Sequence, residues 1–265
     1  MIAMFLWLVA CSPQDTAAPA ADPTTQDTAE MTTATDTPDT DTTPATAMVQ
    51  GVVVGPDGLP REGVTVTLCH GMCRFADTDA SGAFRWDEVA AQTYALHFTT
   101  FSDGGLADVL LAIDVADDEQ LTLAEPVPLA TLGGATPVST NTEVEVAAGV
   151  FLTVDPGSVD LPPFGPETLI VAGAVPAAHP PGLPDGEILE VVYVDPFDAT
   201  AEPGLPLRIE NRWGLAPGET VDVWASSYAD YAWIDGGTLT VQPDSIELTG
   251  GALPVLSTFV LIRRP

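Results

Sequence analysis

From Met48 onward the chain is a succession of short apolar runs separated by turn residues, and that rhythm leaves little room for helices. Val49-Gln50-Gly51-Val52-Val53-Val54 is the first run, and Gly55-Pro56-Asp57-Gly58-Leu59-Pro60 is the turn cluster that ends it. Val64-Thr65-Val66-Thr67-Leu68 alternates with period two, as a half-buried strand does. Ala83-Phe84-Arg85-Trp86 and Thr93-Tyr94-Ala95-Leu96-His97-Phe98 continue the series. Beyond Gly133 come Val144–Val146, Val150–Val154, Leu169–Val171, Ile188–Val194, Val221–Trp224 and Phe259–Ile262. No stretch carries a convincing helical period. The sequence therefore predicts an all-β protein made of two β-sandwich domains, 48–130 and 133–265.

The residues before Met48 differ in kind. Ser12 to Ala47 is built from Thr, Ala, Asp and Pro, with no aromatic residue and no Lys or Arg. Such a segment cannot bury enough apolar surface to offset its chain entropy, so 11–47 is read as a disordered linker. Ahead of it, Leu8-Val9-Ala10-Cys11 closes a short apolar opening and resembles the lipobox of bacterial lipoproteins. The resemblance implies that residues 1–10 are a signal peptide, that Cys11 carries the lipid, and that the protein is anchored to a membrane. Ser12, rather than Asp, after the cysteine implies the outer membrane.

Charge excludes one large class of partners. There are 38 acidic residues against 7 basic ones, all Arg, for a formal net charge of −31. Such a surface repels the phosphate backbone, so no nucleic-acid partner is expected. It favours solubility and contact with cations.

Several segments of the first domain resemble the carboxypeptidase regulatory-like domain. They are Val49-Gln50-Gly51-Val52-Val53, Gly58-Leu59-Pro60, Gly63-Val64-Thr65-Val66, Thr78-Asp79-Ala80-Ser81-Gly82-Ala83-Phe84 and Thr93-Tyr94-Ala95-Leu96. That family implies a transthyretin-like sandwich of about seven strands, used as a spacer or binding accessory and without catalytic residues of its own. In the second domain, Leu152–Val159 and Leu215–Asp222 are similar to the ZU-type β-sandwich of tight-junction and netrin-receptor proteins.

Cys69 and Cys73 remain after Cys11 is assigned to lipid. In an exported chain such a pair is expected to form a disulfide, here at a hairpin end. A zinc site would need four ligands, and only His70 lies nearby in sequence. Asp77-x-Asp79-x-Ser81-Gly82 followed by Glu88 has the spacing of an EF-hand calcium loop. An EF-hand needs flanking helices, and here both flanks read as strands, so the competing reading is a hairpin turn. No cofactor is expected, with calcium at this loop as the alternative. His97-Phe98-Thr99 resembles the His-x-Thr site of self-cleaving modules but ends an ordinary strand.

No metalloprotease, nucleophile-elbow or phosphate-loop motif occurs, and 38 acids make any pairing of carboxylates uninformative. The expectation is a non-enzymatic protein. The most informative stretch is Thr220 to Tyr228. Val221, Val223 and Ala225 fall on one face, and Asp222, Trp224, Ser226 and Tyr228 on the other. With Tyr231 and Trp233 close by, Trp224 and Tyr228 form a candidate stacking surface for sugar rings, unless a loop or the neighbouring domain covers them. Three functions remain open: a lipoprotein that binds glycan or another envelope component, a structural lipoprotein with a protein partner, and an enzyme of unrecognised class. Oligomeric state is left open.

Overall fold

The structure, a computed structural model, describes residues 46–99, 105–161, 169–174, 180–243 and 247–264. The expected signal peptide, the lipid site Cys11 and nearly all of the linker lie outside the described residues.

The first half contains β1 (Ala47–Val54), β2 (Thr65–His70), β3 (Met72–Asp77), β4 (Ala83–Val89), β5 (Gln92–Thr99), β6 (Val109–Val115), β7 (Gln120–Thr122) and β8 (Val127–Pro128). Two sheets face each other. One has the order β4-β1-β7, with β8 also pairing β1, and the other runs β3-β2-β5-β6. The period-two pattern of β1 is realised in space, with Ala47, Val49, Gly51 and Val53 buried and their neighbours only partly so. Between the sheets lie Val49, Val66, Leu68, Phe84, Trp86, Leu96, Phe98 and Ile113. Phe84 meets Phe98 edge-on, with centroids 5.5 Å apart.

The second half contains β9 (Thr136–Pro137), β10 (Thr142–Ala147), β11 (Val150–Val154), β12 (Val159–Asp160), β13 (Ile170–Ala174), β14 (Glu187–Asp195), β15 (Ala199–Glu210), β16 (Thr220–Ser227), β17 (Ala232–Val241), β18 (Glu247–Leu256) and β19 (Thr258–Arg263). They form one sheet in the order β10-β11-β15-β18-β17-β16-β19-β14-β13-β9, with β12 beside β15. The sheet coils around a single core that includes Leu152, Ile209, Val221, Val223, Leu239, Phe259 and Leu261. Its coiling brings β13 against β10. A Cβ placed on Gly173 would sit 1.7 Å from the Val146 carbonyl oxygen, so only glycine fits there. The chain is all-β, as its sequence predicts, with no α-helix among the described residues.

The two halves share a seam. Strand β6 is an edge strand, yet Leu110 and Ala112 are buried as fully as Leu111 and Ile113 on its other face. The second half covers that outer face. The Leu110 N–H donates to Thr258 Oγ1 at 3.0 Å. The His97 ring lies flat on Phe197, with centroids 4.1 Å apart and planes 3° from parallel. Tyr193, fully buried, donates its hydroxyl to Asp195 Oδ1 at 2.9 Å, and the Phe197 N–H donates to the same oxygen at 3.2 Å.

Burial, the largest cause, raises the carboxyls of Asp195 and Asp198 above the ordinary value of 3.8. An acid raised in the folded state holds its proton more tightly folded than unfolded. Its stabilisation is fully present below the unfolded value and is lost as pH climbs through the folded one. Asp79, Asp87 and Glu143 are lowered instead, by hydrogen bonds to Ser81, Arg85 and Arg208. Their contribution fades only as pH falls below ordinary carboxylate values. Above that range the buried pair decides the sign. Melting temperature is expected to rise as pH falls from neutral toward ordinary carboxylate values, and Asp195→Asn is expected to flatten the slope. A steady fall in melting temperature over that interval, followed by circular dichroism, would contradict this account.

Candidate functional site

The β16–β17 hairpin carries the aromatic residues that the sequence singles out. Val221, Val223 and Ala225 point inward and are fully buried. In the register of the hairpin Trp224 faces Asp235 and Ser226 faces Trp233, so the two tryptophans are diagonal neighbours on the outward face. They are not free in solvent. Both are half-buried and pack against Val191, Val260 and Ile262 on the outside of the coiled sheet.

The first half supplies the opposite wall. Thr93 on β5 with Ala112 and Asp114 on β6, then Gly182, Leu183 and Pro184, close a shallow open groove with Trp224, Tyr231, Ala232 and Trp233. Its volume is about 440 Å³, within the range of small-ligand sites. The Trp233 indole N–H is shared between the carbonyls of Ala112 and Pro181, each 3.0 Å away. Gly182 sits at φ 77°, and a Cβ there would lie 2.9 Å from the Ala112 oxygen, so glycine lets this loop reach the groove. The Trp224 indole N–H is buried and has no hydrogen-bond partner among the described residues.

Tyr228 does not join them. It follows the last residue of β16 and turns into the seam, where its ring meets Phe197 edge-on at 5.8 Å. Its hydroxyl lies 3.1 Å from Cys73 Sγ and 3.2 Å from Cys69 Sγ. The expected sugar-stacking pair of Trp224 and Tyr228 is therefore not a continuous exposed strip. Among the described residues, the aromatic side chains that share the groove with Trp224 are Tyr231 and Trp233.

Cys69 and Cys73 are bonded, with sulfurs 2.06 Å apart, and face each other across the β2–β3 hairpin whose tip is Gly71. That tip docks on the second half. The Gly71 N–H donates to the Tyr231 hydroxyl at 2.9 Å, and the His70 ring lies 4.9 Å from the Tyr231 ring. A disulfide-closed hairpin thus holds one groove residue in place.

The calcium spacing does not close into a cage. Asp79 Oδ1 accepts from Ser81 N at 2.8 Å, Ser81 Oγ at 2.6 Å and Ala83 N at 3.0 Å. Asp77 Oδ1 accepts from Thr65 Oγ1 at 2.9 Å. Glu88 lies near the far end of β4. Among the described residues no three His, Cys, Asp or Glu side chains converge on a metal position. Nor is the loop a hairpin turn: β3 and β4 belong to opposite sheets, so it carries the chain from one sheet to the other.

Sequence reasoning did not reach Thr93, Asp114, Gly182, Leu183 or Pro184. Nothing local marks them, because they become groove residues only when β5 and β6 meet β16 and β17.

No protein-family model and no curated protein matches the chain. Solved structures with some overall likeness include a DUF3823 family protein from Bacteroides ovatus. It is 11% identical over 83% of this chain and 82% of that one, with a TM-score of 0.26. Another is a candidate carbohydrate binding protein from Bacteroides uniformis. It is 12% identical over 83% of this chain and 80% of that one, with a TM-score of 0.24. Superpositions this loose assign neither family nor function.

Proposed function

We propose that the protein is a non-catalytic, lipid-anchored component of the outer membrane and that the groove at its seam binds carbohydrate. The groove carries this reading. Trp224, Tyr231 and Trp233 offer half-buried aromatic surface, and Thr93 and Asp114 offer polar groups beside it. The C–H face of a pyranose packs on such rings while its hydroxyls bond to the polar rim. Among the described lining residues Asp114 is the one carboxylate. Glycoside hydrolysis needs a converging pair, so the lining supports binding rather than cleavage. The lipobox-like opening supports the anchor, the polar linker supports display at a distance, and the regulatory-like segments support a binding accessory.

A glycan-array screen tests the reading. A full-length Cys11→Ala chain, which on this proposal is no longer lipidated, supplies soluble protein for the screen, run with and without calcium. Retention of at least one glycan class is expected. Trp224→Ala should weaken it about tenfold, the effect of losing one aromatic contact of about 1.4 kcal/mol. Melting should move by no more than a few degrees. Retention on no glycan would overturn the reading.

A protein-binding role has one observation behind it. Met72 is 86% exposed and Phe75 70% exposed on β3, an edge strand, and such an edge can accept an added strand from a partner.

A further inference from the structure

The groove has a charge character that narrows its ligand. No Arg lines it, although the chain's positive charge consists entirely of Arg side chains. Arg208 lies between Glu143 and Glu247, each 2.7 Å away. Arg212 meets Glu190 at 2.6 Å and Arg263 meets Glu187 at 2.8 Å. Arg85 pairs with Asp87 at 2.5 Å. Arg74 donates to the carbonyls of Asp87 and Glu88. Arg264 pairs with Asp222, which shares the outward face of β16 with Trp224. Arg61 is engaged as well.

The negative side is different. Asp114 lines the groove, and Asp235 sits directly across the ladder from Trp224, exposed. An anionic sugar entering here would meet carboxylates and the negative faces of three aromatic rings, with no countercharge among the described lining residues to receive it. A cation would meet the same groups favourably. Aromatic faces attract ammonium ions, and a carboxylate beside them supplies the hydrogen-bond acceptor.

We infer that the groove selects its glycan by charge, taking amino sugars with a free ammonium group in preference to neutral sugars and rejecting uronates. The inference rests on the carbohydrate reading of this groove. The sugar ring lies on Trp224, and its ammonium group reaches Asp114. No bond is made or broken.

The test uses tryptophan fluorescence titration of the full-length Cys11→Ala chain with three tetrasaccharides. These are a β-1,4-glucosamine oligomer, its fully N-acetylated counterpart and an oligogalacturonate. The free-amine form is expected to bind about fivefold more tightly than the acetylated one, as suits one exposed charge contact. The uronate should not bind. Asp114→Asn should erase the amine advantage and leave the affinity for the acetylated form within about twofold. Trp224→Ala should weaken both forms although it leaves the net charge unchanged. That arm separates the groove from diffuse attraction to the acidic surface. An amine advantage that survives Asp114→Asn, or amine binding that survives Trp224→Ala, overturns the inference. So does uronate binding at equal strength. If the amine and acetylated forms bind alike, charge selection fails and the carbohydrate reading stands. If no oligosaccharide binds, both fail together.

Discussion

Trp233→Ala is expected to cost about 3–5 kcal/mol of stability, the usual range for truncating a large core aromatic. In a chain of this size that lowers the melting temperature by roughly 6–20 °C. The reason is position rather than depth. Trp233 is only half-buried, but it packs against the core of the first half and against the outer cluster of the second. Its indole N–H also serves two carbonyls at once, Ala112 on β6 and Pro181 on the segment just ahead of β14. Ala removes the ring and leaves both acceptors without their donor. Trp233→Phe keeps most of the ring and loses only the donor, so it should cost less, about 1–3 kcal/mol. Trp224 is the contrasting case, because its indole N–H has no partner among the described residues to lose. Thermal melts of the three variants check the ordering. A Trp233→Ala protein that melts within about 2 °C of the parent would show that the seam does not depend on this side chain.

The strands that the sequence reveals are those whose apolar residues alternate or cluster without interruption, such as β1, β2, β5 and β14. The long strands β15, β17 and β18 are not legible in the same way. β15 contains Pro203, Gly204 and Pro206, β17 contains Gly236 and Gly237, and β18 contains Gly250, Gly251 and Pro254. By local rules these residues are turn formers. The coiled sheet uses several of them where its register shifts, between Thr200 and Leu205 and again between Pro206 and Arg208. A sheet that must curve tightly takes Gly and Pro at bulges, and single-sequence patterns cannot tell a bulge from a turn. The groove was legible to a similar degree. Alternation along β16 places Trp224 outward, but the wall that half-covers it comes from strands more than a hundred residues earlier. Tyr228, assigned to the same face, lies beyond the end of β16, where alternation no longer governs direction.

The second large effect concerns cooperativity. Phe98 and Phe259 are fully buried in separate cores, one between the two sheets of the first half and one inside the coiled sheet. Each Phe→Ala change should cost about 3–5 kcal/mol. Were the halves independent, each variant would lower its own transition and leave the other in place. The seam argues for a different outcome. β6 has its outer face buried only because the second half covers it, and loss of either half would expose Leu110, Ala112 and Tyr193 to water. It would also take the Ala112 acceptor from the Trp233 indole N–H and separate the Leu110 N–H from Thr258. Unfolding one half therefore removes support from the other, so a single transition is expected in calorimetry of the parent chain. Both variants should shift that one transition downward by a similar amount. Two resolved transitions, with only one of them moved by each variant, would show that the seam is too weak to couple the halves. The groove built across it would then be free to open.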